Sequence, residues 1–67
     1  MTKWDWDRIG SLMLSVRDEA RFACEEYENG PNDSDVHRSI AQRADRCVRN
    51  LKTITDLLRR ERRNKPA

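Results

Sequence analysis

Long apolar runs are what this chain most lacks. Across 67 residues no apolar stretch exceeds three, Leu12-Met13-Leu14 and Phe22-Ala23-Cys24 being the longest. A membrane-spanning helix needs about 20 apolar residues in succession, so no contact with a bilayer is expected. The start, Met1-Thr2-Lys3-Trp4-Asp5, has none of the apolar run of a secretory leader, and a cytoplasmic location is the expectation. Cysteine and histidine are also scarce: Cys24, Cys47 and His37 are all there is. Their spacing fits no zinc site, and neither metal nor cofactor is expected. The two thiols read as small buried residues in a reducing compartment, the alternative being a disulfide across the two halves. With Gly10 and Gly30 alone, the chain holds no glycine-rich phosphate loop and no nucleophile elbow.

These absences weigh against an enzyme. His37 has no second histidine and no serine or cysteine nucleophile at useful spacing, which leaves it a capping or rim role. The carboxylates of Glu25, Glu26 and Glu28 lack the Glu-x-x-His pairing of a di-metal bundle site.

Heptad periodicity is abundant. Trp6, Ile9, Met13, Val16, Ala20, Ala23 and Tyr27 are spaced alternately by three and four, which places all seven on one face of an α-helix. Ile40, Ala44, Cys47, Leu51, Ile54 and Leu58 repeat the pattern in the second half. Between the two seams, Asn29-Gly30-Pro31 ends a helix: Gly30 is suited to a left-handed C-terminal cap and Pro31 cannot extend the helix. Thr2, with Asp5 three residues on, starts the first helix, and Asp33 or Ser34 starts the second. The expected fold is all-α: one domain over 1–67, with helix 3–28, turn 29–34, helix 35–62 and a basic tail 63–67. The short connection forces the helices antiparallel.

Two helices alone share a single seam and enclose no centre. Homodimerisation into a four-helix bundle is therefore expected, with Trp6, Ile9, Met13, Val16, Tyr27, Ile40, Cys47, Leu51, Ile54 and Leu58 as the dimer core. Charge is unevenly divided. Residues 1–35 hold four basic and nine acidic residues, net −5, and residues 36–67 hold ten basic and three acidic, net +7. That asymmetry favours closing the hairpin, although apolar burial outweighs exposed ion pairs.

Two sets of residues fall off the seams. Trp4, Leu14 and Phe22 point away from the first seam, with Arg21 beside Leu14. Exposed aromatics near an arginine have the composition of a protein-binding hot spot, despite Asp18 interrupting them. The bland reading makes them core of a larger homo-oligomer, or makes Trp4 a staple of the helix start. On the second helix, Arg38, Arg46, Arg49, Lys52, Arg60 and Arg63 project away from the seam. Such a stripe can track phosphates. However, Asp45 and Asp56 interrupt it and no aromatic is interleaved for base stacking, so an ordinary solvated face is the competing reading.

In outline the chain resembles the plasmid-encoded Rop type, a short two-helix protein that dimerises and binds RNA. It also resembles the small helical proteins of phages and mobile elements that disable host factors, including quorum-sensing anti-activators. That likeness rests on size, two-helix form, absent catalytic residues and exposed aromatics. The secreted WxG hairpins are set aside, because the turn here reads Glu28-Asn29-Gly30-Pro31. The leading expectation is a non-enzymatic regulator that binds a heterologous protein through Trp4, Leu14, Arg21 and Phe22 and inhibits or sequesters it. The alternative is a Rop-like dimer that binds nucleic acid through the basic face.

Overall fold

A computed structural model describes the backbone of residues 1–64 and the side chains of residues 1–62. Arg63, counted in the basic stripe, and the rest of the 63–67 tail have side chains outside the described residues. Two helices account for the fold: α1 spans Lys3–Asn29 and α2 spans Ser34–Asn64. They pack against each other as a rod with extents of 52 × 16 × 14 Å. Among the described residues no helix is long and apolar enough to cross a membrane.

The boundaries follow local chemistry. Thr2, in an extended conformation, accepts a bond from the Asp5 amide at 3.1 Å, occupying one of the orphan donors at the helix start. Asp33 does the same for α2, its carboxylate accepting from the Val36 amide at 3.0 Å. The turn is tight: the Gly30 amide donates to the Glu26 carbonyl at 2.8 Å and Asp33 to the Pro31 carbonyl at 3.0 Å.

One expectation about this turn is corrected. Gly30 is extended, with φ −86° and ψ 159°, rather than left-handed. Glycine is needed there for room. A β-carbon would lie 2.6 Å from the Glu26 carbonyl oxygen, closer than real β-carbons approach, and a tight 3.3 Å from Val36 Cγ2. The helices also overrun the expected ends, α1 by one residue and α2 by one at its start and two at its end.

The seam is rotated from the one that apolar spacing suggests. On α1 the positions turned toward α2 are Asp5, Ile9, Leu12, Val16, Glu19, Ala23, Glu26 and Gly30; on α2 they are Val36, Ile40, Arg43, Cys47, Asn50, Ile54, Leu57 and Glu61. Both sets keep the 3–4 spacing of a two-helix coiled coil. Ile9, Ile54 and Leu57 are the buried core, with Leu12 packed on it. Of the expected dimer core, Ile9, Val16, Ile40, Cys47 and Ile54 lie in this seam. Trp6, Met13, Tyr27, Leu51 and Leu58 are instead exposed, Trp6 at 63% and Tyr27 at 80%. Ala20 and Ala44 are exposed with them.

The rotated seam combines an apolar core near the open end with ion pairs nearer the turn. Toward the turn the hairpin is closed by ion pairs together with Ala23, Val36 and Ile40. Arg43 donates to Glu26 at 2.5 Å and to Glu19 at 3.1 Å, and Arg46 joins Glu19 at 3.2 Å. The charge asymmetry of the two halves is thus spent at these positions. At the open end the Met1 amino group meets Glu61. The cysteine reading is corrected in part: Cys47 is half-buried and donates to the Val16 carbonyl at 3.7 Å, but Cys24 is exposed, and both are free thiols.

Candidate interaction surfaces

Heptad geometry divides the rod into sides, and each side carries different chemistry. Positions one residue after Asp5, Leu12, Glu19 and Glu26 are Trp6, Met13, Ala20 and Tyr27. Positions one residue after Val36, Arg43, Asn50 and Leu57 are His37, Ala44, Leu51 and Leu58. In an antiparallel pair both sets turn to the same side of the rod. The result is one continuous face with no charged side chain along its middle. It is bordered on α2 by Ala41, Val48, Thr55 and Arg62 and on α1 by Lys3, Gly10, Arg17 and Cys24, and Val48 is 63% exposed.

The opposite side is polar. Glu19, Glu26, Arg43 and Arg46 form the ion-pair network, and Arg43 lies 5.1 Å over the ring centre of Phe22. A shallow groove there is lined by Ser15, Asp18, Phe22, Arg49 and Asn50 together with members of that network. Hydrogen bonding by the Ser39 hydroxyl, then by Arg43, holds the Glu26 carboxyl below its ordinary range. Bonds from Arg43 to Glu26 and Glu19 raise the guanidinium pKa in turn.

The back of α1 carries the other apolar residues. Trp4 is 71% exposed, and Leu14 and Phe22 are each half-exposed. They do not form one tight patch. Phe22 lies at the ion-paired side, Trp4 further round, and Leu14 on the side farthest from α2, where Arg21 pairs loosely with Glu25 at 3.7 Å. Asp18 stands between them and pairs with Arg17 at 3.4 Å.

On α2 the basic residues Arg38, Arg46, Arg49, Lys52 and Arg60 are all exposed, and at about 100° per residue they share roughly one third of the helix circumference, on its outer side. Arg46 is engaged by Glu19. His37 sits at the turn, its Nε2 bonded to Asn32 Oδ1 at 2.6 Å, in a groove with Tyr27, Pro31, Val36 and Ile40. Among the described residues no three histidine, cysteine or acidic side chains gather as a metal site.

Sequence spacing did not separate the two roles of the seam. Leu12 and Leu57 were passed over because the apolar register runs through Met13 and Leu58, one residue along. The signal for the hairpin seam was the alignment of Glu19 and Glu26 with Arg43, which a search for apolar spacing skips. No protein-family model, no curated protein and no solved structure matches this chain.

Proposed function

We propose that the chain is a small non-enzymatic regulator that binds another protein and inhibits or sequesters it. The observation that carries this reading is the exposure of Trp4, Leu14 and Phe22 on sides of α1 that neither the hairpin seam nor the uncharged face uses. Large apolar side chains in water, next to an arginine, supply the anchors of a protein contact. Arg21 is available for it, since its bond to Glu25 is long and exposed and such pairs hold weakly. Phe22 offers the ring face that Arg43 does not cover. An acidic partner would also be steered by the basic residues of α2. The free thiols of Cys24 and Cys47 suit a reducing compartment.

The test is a capture experiment from lysate treated with nuclease, comparing the wild-type chain with a Trp4→Ala, Phe22→Ala double variant. The reading expects a specific protein retained by the wild type and lost from the variant, whose helicity and mass are unchanged. If the double variant loses its helical signal, the two aromatics serve the fold and the reading fails.

A second reading, binding of nucleic acid, is favoured by one observation. Arg38, Arg49, Lys52 and Arg60 make no ion pair among the described residues. A phosphate contact would weaken steeply with salt, whereas an aromatic-anchored one would not. An absence of any mobility shift with RNA or DNA at low salt excludes this alternative.

A further inference from the structure

We propose that the uncharged face receives a second copy of the same chain, laid down in the reverse direction. The two turns then point to opposite ends of a four-helix bundle. Four properties of the face select this occupant.

The first is chemistry. Trp6, Met13 and Tyr27 of α1 and Val48, Leu51 and Leu58 of α2 are large, apolar and exposed on this one side. These six carry no charge, so along the middle of the face an acidic peptide or a phosphate backbone finds nothing to pair with; the basic residues Lys3, Arg17 and Arg62 stand only at its margins. The second is extent. The rod is 52 Å long and the face follows it from Trp6 and Leu58 to Tyr27 and His37, so a rod of equal length meets it throughout.

The third is direction. Each helix carries an apolar stripe that covers two adjacent sides, about 50° apart on the heptad wheel. Ile9, Val16 and Ala23 face α2, while Trp6, Met13, Ala20 and Tyr27 face the open side. On α2, Ile40, Cys47 and Ile54 face α1, while Ala44, Leu51 and Leu58 face the open side. A helix with two apolar sides is built for two neighbours, as at the corner of a square. The hairpin supplies one neighbour for each helix. Both stripes turn the same way, so another two-helix unit completes both corners at once, and this chain is such a unit.

The fourth is size, which sets the direction of the second copy. The Cys47–Val16 and Arg46–Glu19 contacts fix the register of the hairpin. Trp6 is then level with Leu58, Met13 with Leu51, Ala20 with Ala44 and Tyr27 with His37. Bulk is concentrated near the open end and scarce at the alanine layer. Two copies with turns together would crowd two tryptophans and two leucines into one layer and leave four alanines in another. Reversing the second copy sets Met13 and Leu51 against its Ala20 and Ala44, and sets Trp6 and Leu58 against its Tyr27 and His37. Bulk is then spread more evenly over the layers than with the turns together, as close packing favours.

This inference does not depend on capture of a heterologous protein, whose proposed contacts lie on other sides of α1. It is tested by mass and by distance. Sedimentation of the wild-type chain at micromolar concentration gives twice the 8.0 kDa of the chain, with no change at high salt. In a Cys24→Ser, Cys47→Ser, Asn29→Cys variant, one spin label sits at the turn end of each copy. The label separation is about 40 Å or more, the length of a 27-residue helix, against about 20 Å if the turns shared an end. Leu51→Glu raises the dimer dissociation constant at least about a hundredfold by burying an unpaired charge, while Gln42→Ala on the outer side leaves it unchanged. A monomer, an assembly larger than two, a short label distance, or a dimer untouched by Leu51→Glu each overturns the proposal. Wild-type mass and label distance decide the matter even if Leu51→Glu does not fold.

Discussion

Two residues at the turn show how much of this hairpin rests on single atoms. Gly30 holds a conformation that any residue can adopt, yet its missing β-carbon is what lets the chain pass the Glu26 carbonyl. Gly30→Ala is expected to cost about 1–3 kcal/mol, because the obstructing atom is backbone and cannot swing away; urea unfolding followed by circular dichroism reads it. Glu26 gives a second prediction. Its carboxyl titrates below the ordinary value of 4.5 because the Ser39 hydroxyl and Arg43 stabilise the charged form. A carboxylate with a depressed folded pKa contributes stability that is complete above its unfolded pKa and disappears as pH falls through the folded one. The hairpin should therefore lose stability on acidification below about pH 4.5, and Glu26→Gln should flatten that part of the stability–pH curve. A Gln variant with the same acid dependence as the wild type would place the sensitivity elsewhere.

At the scale of the helix, α1 and α2 were legible in the sequence to within two residues, because their caps are local. Thr2, Asp33 and Pro31 act within a few residues of themselves, and nothing distant is needed to place them. Which side of each helix faces the other was not legible in the same way. Apolar spacing marks where a helix wants to be dry; it does not say which neighbour dries it. The stripe of α1 ran through Trp6, Met13 and Tyr27, and a lone hairpin closes instead through Leu12, Glu19 and Glu26. Likewise the candidate contacts Trp4, Leu14 and Phe22 were readable as off the seam, but their separation around α1 needed coordinates. Gly10 isolates propensity from packing: a β-carbon there meets nothing within 4 Å. Gly10→Ala should stabilise the chain by about 0.5–1 kcal/mol through helix propensity alone, visible as a higher unfolding midpoint with an unchanged slope.

For the molecule as a whole, the balance between burial and exposure is decisive. Among the described residues only Ile9, Ile54 and Leu57 are buried, against ten exposed large apolar residues. Ordering a residue costs about 1–2 kcal/mol of backbone entropy, and three buried side chains at about 1.5–3 kcal/mol each cannot offset two long helices. Ion pairs at the surface add little. If, as proposed, a second copy covers the uncharged face, its burial adds to this small core, and folding and association belong to one equilibrium. A chain folding by itself unfolds at a temperature independent of its concentration. One that folds by pairing has a midpoint that rises with concentration by mass action. Thermal scans by circular dichroism over a hundredfold dilution series should therefore show the midpoint falling steadily as the protein is diluted. The α-helical signal at the lowest concentrations should drop at room temperature as well, because the released hairpin keeps too small a core to hold its helices. A midpoint that does not move across the series would mean that the Ile9, Ile54 and Leu57 cluster suffices, and that the open face serves some other purpose than folding.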